Sequence, residues 1–206
     1  MCAGNPFLSF MSNHFPNMKY DRCQIYAPEA DTVLLLKAAT AEVRREDRVL
    51  EVGTGTGLIA AQMAGIATVL ATDINPHAVL CARDAGVTVV RTDLVAGIRG
   101  PFDLVLFNPP YLPTQPEERI DDWLEYALDG GESGRVIIER FMTEVGGVLA
   151  PGGRILLLVS SLTGLHEILK LWSGLNYSAR VVSEERVEDE VLYVLRIIRN
   201  EDLVRP

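Results

Sequence analysis

From residue 48 to residue 199, short and almost uninterrupted apolar runs alternate with segments that carry helix signals. Arg48–Val52, 67–74, 88–94, Phe102–Phe107 and 154–160 read as strands. Leu58–Ala64, Pro76–Asp84, 117–128, 134–149 and 165–175 read as helices, preceded by one over 31–43 that Asp31 or Thr32 caps. Strands apolar on both faces need cover on both faces, and a mostly parallel sheet flanked by helices provides it. The last two runs, 179–187 and 191–199, are linked by only a few charged residues. A parallel crossover needs about a dozen residues, so these two form an antiparallel hairpin at the sheet edge. The expected fold is α/β, a seven-stranded sheet with helices on both faces.

The 206 residues suit one domain, read as 21–206 after an N-terminal extension over 1–20 to which no role is assigned. Within that extension Phe7, Phe10 and Phe15 are candidates to pack on the body, and Met11 is an alternative start. A hydrophobic share of 48% excludes a disordered chain. Lys plus Arg is 19 and Asp plus Glu is 28, a net charge of −9. That balance argues against holding duplex nucleic acid by its phosphates, where each contact wants a Lys or Arg. Cys2, Cys23 and Cys81 lie far apart and read as reduced thiols of a cytoplasmic protein, and the scattered His14, His77 and His166 give no metal site. No apolar run is long enough for a membrane span, and no secretory signal is seen.

Val49-Leu50-Glu51-Val52-Gly53-Thr54-Gly55-Thr56-Gly57 runs from a strand through a glycine turn into a helix. Glycines let a ligand approach the main chain, and in a doubly wound sheet such a turn lies at the carboxyl ends of the strands, where ligands bind. The spacing is G-x-G-x-G, neither the dinucleotide fingerprint nor a P-loop. A tight turn with no ligand also fits these residues alone. Asp73 ends the second strand, 22 positions after Glu51, and Asp93 ends the third. A carboxylate at such an end can accept both ribose hydroxyls. Glu51, Asp73 and Asp93 would ring one crevice, unsuited to a pyrophosphate and suited to a cationic nucleoside cofactor. Each aspartate taken singly suits a helix N-cap equally well.

Together these features resemble the class I S-adenosylmethionine-dependent methyltransferases, whose fold is the seven-stranded Rossmann-like sheet. The resemblance implies S-adenosylmethionine as cofactor and S-adenosylhomocysteine as product. It implies that the turn with Glu51, Gly53 and Gly55 meets the methionine part, that Asp73 holds the ribose, and that Asp93 and Leu94 lie by the adenine.

The strand Phe102–Phe107 runs straight into Asn108-Pro109-Pro110-Tyr111. Each proline holds the residue before it extended and lacks an N–H. The Asn108 side-chain oxygen and the Pro109 carbonyl can therefore aim at one NH₂ group, and Tyr111 offers a flat face for a planar group. A planar amide or amine nitrogen is a poor nucleophile because its lone pair is delocalised. Accepting both of its hydrogen bonds fixes it and favours lone-pair density toward the methyl donor. Such positioning contributes up to about 7–11 kcal/mol. Transfer is then direct and in line, with no Ser, Cys or His nucleophile, and the proton leaves after methylation. A strand ended by a breaker cluster is the bland alternative.

The N-P-P-Y run resembles the motif of methyltransferases acting on planar nitrogen: adenine or cytosine amino groups, or glutamine amides. Two further stretches narrow it. Tyr26-Ala27-Pro28-Glu29-Ala30-Asp31-Thr32 is, physically, an extended approach and a helix cap, and Leu128-Asp129-Gly130-Gly131-Glu132-Ser133-Gly134 a glycine helix stop with a new N-cap at Ser133. Both also resemble segments of the HemK/PrmC protein glutamine methyltransferases, in their short archaeal and eukaryotic branch, with Ala30 where Glu is frequent. The resemblance covers about 24–199. It implies N5-methylation of the glutamine in the Gly-Gly-Gln loop of a peptide-chain release factor. It implies that Asn108 and Pro109 hold the amide, that Tyr111 packs on it, and that Thr32 and Asn108 touch the cofactor. It also implies a small zinc-binding activator subunit at the sheet edge carrying Thr88-Val89-Val90. The competing readings are an adenine amino-group methyltransferase on DNA or RNA, a protein lysine methyltransferase, and a non-catalytic binding module.

Overall fold

The computed structural model describes residues 20–115, 117, 119 and 122–202. The expected extension over 1–20, with Cys2, Phe7, Phe10, Met11, His14 and Phe15, lies outside the described residues except for Tyr20. In chain order come α1 (Ala30–Glu42), β1 (Arg48–Val52), α2 (Leu58–Ala64), β2 (Thr68–Asp73), α3 (Pro76–Asp84), β3 (Val89–Arg91) and β4 (Phe102–Phe107). Then follow α4 (Val136–Glu144), β5 (Leu149–Ser160), α5 (Leu165–Gly174), β6 (Tyr177–Val187) and β7 (Glu190–Arg199).

The strands form one seven-stranded sheet in the order β3-β2-β1-β4-β5-β7-β6. Neighbours from β3 to β5 run parallel, while β7 is antiparallel to both β5 and β6, so the closing hairpin forms as expected. Side-chain alternation sorts the core into two layers. Leu50, Val52, Val105, Phe107, Ile155 and Leu157 face α4 and α5, where Phe107, Phe141 and Trp172 make a run of ring contacts at 4.7 and 6.5 Å. Val49, Leu104, Leu106, Leu156 and Leu158 face α1 and α2. Each large side chain so buried contributes about 1.5–3 kcal/mol. At the amino ends of the strands, buried Arg154 grips Asp47 with both terminal nitrogens, at 3.1 and 2.7 Å. That pairing pins the β1 approach to β5.

Several boundaries differ from the sequence expectation. Helix α1 starts at Ala30 with Glu29 as N-cap, so Asp31 sits inside its first turn and is not the cap. Strand β3 is only Val89–Arg91, because the chain turns away before Asp93. Over 117–128, residues 122–128 form turns with one 3₁₀ turn (Glu125–Ala127) instead of the expected α-helix, and parts of 116–121 lie outside the described residues. Helix α4 ends at Glu144 and gives way to a 3₁₀ turn, and its N-cap is Arg135, not Ser133. Cys23 and Cys81 are free thiols. Among the described residues no helix is long and apolar enough to cross a membrane.

Candidate active site

Strand register sets the level of the site. Val52 lies opposite Thr72 on β2 and Phe107 on β4. The next residues, Gly53, Asp73 and Asn108, therefore stand side by side at the carboxyl end of three adjacent strands. Strands are about 4.8 Å apart, which keeps the three within about 10 Å. The chain moves outward from β1 to β2 and β3, then crosses to the other side at β4. A switch of this kind leaves a crevice between the diverging loops.

The glycine turn is built tightly into this end. Gly57 has φ +81°, and a Cβ there would stand 2.9 Å from the Ala82 Cα on α3. The Thr54 N–H bonds the Thr72 carbonyl at 3.0 Å. Glu51 supports the turn from below. It is 4% exposed, and its Oε2 accepts from the Thr54 hydroxyl at 2.6 Å and the Ala60 N–H at 2.9 Å. Burial pushes its carboxyl up to about 8; the two donors oppose this and the Asp73 charge adds to it.

Asp73 closes β2 and is buried. Its Oδ2 accepts the Gly55 N–H at 2.8 Å and its Oδ1 the Asn75 N–H at 2.9 Å. Burial raises its pKa against those bonds. The Ile74 N–H is a third donor to this carboxylate, and since a carboxylate offers about four acceptor sites, Asp73 retains capacity for a further donor such as a ribose hydroxyl. The arrangement fits an adenosine cofactor. Asp93, two residues beyond β3, bonds Arg140 Nη2 at 2.7 Å and holds that guanidinium above its ordinary range. Leu94 follows at φ +48°, its carbonyl accepting the Thr72 hydroxyl at 3.0 Å. The third carboxylate is thus paired with α4.

Asn108 begins the loop after β4. Its Nδ2 donates to Asp31 Oδ2 at 3.1 Å. Its Oδ1 is buried and has no hydrogen-bond partner among the described residues. Asp31 Oδ2 also accepts from the Tyr26 hydroxyl at 3.0 Å, while Oδ1 accepts the Thr32 N–H at 2.5 Å and the Thr32 hydroxyl at 3.2 Å. Pro109 is buried, and Tyr111 is half-buried against the layer containing Leu34 and Leu106. Burial first, and then the charges of Asp31 and Glu29 on both and of Glu190 on Tyr111, raise the pKa of Tyr26 and Tyr111, so both remain hydroxyl donors.

The Asp-Gly-Gly-Glu-Ser-Gly stretch braces this loop through backbone bonds. Leu112 N–H bonds the Leu128 carbonyl (3.1 Å), Gly130 N–H the Leu112 carbonyl (2.9 Å) and Thr114 N–H the Gly131 carbonyl (3.1 Å). Gly134 is required for the fit, since a Cβ there would stand 2.5 Å from the Tyr111 carbonyl oxygen. Beside the brace is a cavity of about 410 Å³, lined in part by Arg119, Asp129 and Glu132. On the β3 side, the Trp123 N–H bonds Gln24 Oε1 at 2.8 Å, and the Arg91 guanidinium lies 5.4 Å from the Trp123 ring. The Gln24 carbonyl in turn accepts Asn75 Nδ2 at 2.6 Å.

The structure thus brings Thr32, Asp73, Asn108, Pro109 and Tyr111 to the crevice end of the sheet, with Gly53 and Gly55 in the turn above Glu51. Sequence reasoning missed the brace and the Tyr26–Asp31–Asn108 contact. The Tyr-x-Pro-x-x-Asp spacing is the available signal for the latter, although taken physically it specifies only an extended approach and a helix cap.

A methyltransferase small domain model matches residues 28–121. A Methanocaldococcus jannaschii protein named as a protein N5-glutamine methyltransferase is 39% identical over 184 residues, 85% of this chain and 92% of the relative. Human methyltransferase HEMK2 is 33% identical over 215 residues, 96% of this chain and 100% of the relative. Among solved structures, Mtq2 of E. cuniculi superposes with a TM-score of 0.73 at 31% identity, covering 85% of this chain and 99% of that one. It was solved with Trm112, in the complex responsible for methylating the translation termination factor eRF1.

Proposed function

The chain belongs to the S-adenosylmethionine-dependent protein N5-glutamine methyltransferases, and from that premise we propose that it methylates the glutamine of the Gly-Gly-Gln loop of a peptide-chain release factor. One observation carries this reading: Asn108 leaves β4 with its Nδ2 committed to Asp31 and its Oδ1 buried without a partner among the described residues. A buried orphan acceptor costs about 1–3 kcal/mol, and a donated N–H removes that cost. A glutamine carboxamide carries two such donors. Asn108 Oδ1 takes one, the Pro109 carbonyl takes the other, and Tyr111 covers the flat face.

When bound, S-adenosylmethionine supplies an electrophilic methyl group and departs as S-adenosylhomocysteine. Asp73 takes a ribose hydroxyl, Gly53 and Gly55 let the methionine part approach, and Glu51 keeps the turn in shape. Thr32, Asp93 and Leu94 complete the cofactor wall. No side chain has to act as a nucleophile; the two acceptors hold the amide nitrogen, whose proton is shed once the nitrogen is methylated. Acidic Glu29, Asp31 and Glu190 near Tyr111 favour a protein substrate over a nucleic acid.

Residues 21–206 act as the methyltransferase domain. The β3 edge, where Val90 is 42% exposed, takes a small zinc-binding activator subunit as an added partner. The site of action is the cytoplasm, where release factors work. Mass spectrometry of a release factor after incubation with enzyme and cofactor tests the substrate: a gain of one methylene on the Gly-Gly-Gln glutamine is expected, and an unmodified loop refutes it. Asn108→Ala leaves cofactor affinity within about threefold by calorimetry but lowers turnover about 100- to 1,000-fold, as when a transition-state hydrogen bond is removed. Unchanged turnover refutes the role of Asn108.

A further inference from the structure

We infer that Asp31, seconded by Tyr26, is a positioning residue that fixes which end of the Asn108 side chain faces the substrate. The inference rests on the glutamine reading for its kinetic arm only. An asparagine amide is nearly symmetric in shape, and rotation by half a turn exchanges an acceptor for a donor. With Nδ2 toward the substrate, Asn108 would present a donor to a donor. Asp31 prevents that rotation. Asp31 is 3% exposed, and among the described residues its carboxylate accepts from four donors: Asn108 Nδ2, the Tyr26 hydroxyl, the Thr32 N–H and the Thr32 hydroxyl. Turning Asn108 over would set its oxygen against this carboxylate. The orientation that satisfies Asp31 is the one that leaves Oδ1 as the open acceptor.

Placement supports the assignment. Asp31 lies in the first turn of α1, where the free N–H groups of a helix favour an anion. A helix cap at that end would need no partner 77 residues away on another element. Tyr26 also reaches Glu29 at 3.5 Å, and its raised pKa keeps its hydroxyl a donor to Asp31. Tyr26 and Asp31 therefore belong to the substrate side of the site through Asn108.

Two measurements test this. In the first, the Asn108 side-chain NH₂ is followed by ¹⁵N–¹H NMR, identified by its disappearance in Asn108→Asp. It exchanges slowly with solvent in the wild type and at least tenfold faster in Asp31→Ala. Equal exchange overturns the inference, and no substrate is involved. In the second, methyl transfer to a release factor is compared for wild type, Asp31→Asn, Asn108→Asp and the Asp31→Asn/Asn108→Asp double variant. The amide introduced by Asp31→Asn can donate to Asn108 Oδ1 and consume the acceptor, and Asn108→Asp opposes two carboxylates. Both single variants lose at least 100-fold in kcat with cofactor affinity within threefold. In the double variant the introduced amide donates to the introduced carboxylate, whose other oxygen again faces the substrate, and kcat recovers at least tenfold over Asn108→Asp. No recovery with normal cofactor binding overturns the inference. If the carboxyl variants fail to fold, Tyr26→Phe decides: a three- to tenfold loss in kcat at unchanged KM supports it, and unchanged kcat refutes it. A wild type inactive on release factor refutes the substrate reading alone, and the exchange measurement still decides the role of Asp31.

Discussion

Glu51→Gln turns the burial under the glycine turn into a measurable quantity. The carboxyl is buried, and its ordinary value of 4.5 is pushed up to about 8, chiefly by burial. In the unfolded chain it ionises near 4.5, whereas in the folded protein it holds its proton until about 8. Between those values the native state binds the extra proton, so stability falls as pH rises. The slope is about 1.4 kcal/mol per pH unit for one proton. The contribution is full below pH 4.5, is lost as pH climbs through 8, and amounts to on the order of 4–5 kcal/mol in all. Glutamine mimics the protonated form: its oxygen can still accept from Thr54 and Ala60. Urea denaturation of both proteins at steps from pH 5 to pH 9 gives a difference curve in which the other titrating groups cancel. Wild type and variant should agree within about 1 kcal/mol near pH 5, with the wild type progressively weaker toward pH 8 and level beyond. A flat difference, or one in which the wild type gains on the variant as pH rises, would refute a buried protonated Glu51.

Two other perturbations have distinct readouts. Gly57→Ala should destabilise the fold by about 2–4 kcal/mol, combining left-handed strain with a contact on the α3 backbone, and should weaken cofactor binding. Gly86→Ala, at φ +83° with nothing within 4 Å of its Cβ, should cost only about 1 kcal/mol in the same denaturation series, and equal losses would disprove the steric part. Val90→Lys should change stability by less than about 0.5 kcal/mol yet abolish co-purification with a zinc-binding activator subunit; undiminished capture would remove β3 as the docking edge.

The chain's local chemistry determined a great deal on its own. Apolar runs bounded by glycines and prolines specify buried strands, and α2, α3, β1 and β4 fall where the pattern puts them. Asn108-Pro109-Pro110-Tyr111 needs only its neighbours to become an extended acceptor loop after a buried strand. Tertiary packing decided what depends on distant partners. Side-chain alternation along β1 turns Glu51 toward α2, where its carboxyl group props up the glycine turn. Asp93 lies beyond the early end of β3 and pairs with Arg140 of α4, a partner 47 residues away. The expected helix over 117–128 gives way, across residues 122–128, to turns held by Gln24 and Leu112, contacts no local period encodes. The bond between Asp31 and Asn108 spans 77 residues. A helical residue and a loop residue meet there only because α1, packed on β5, β6 and β7, brings its first turn to the loop after β4. Propensity and spacing act over a few residues, whereas the direction of a hydrogen-bonding group is set by whatever the fold brings opposite it.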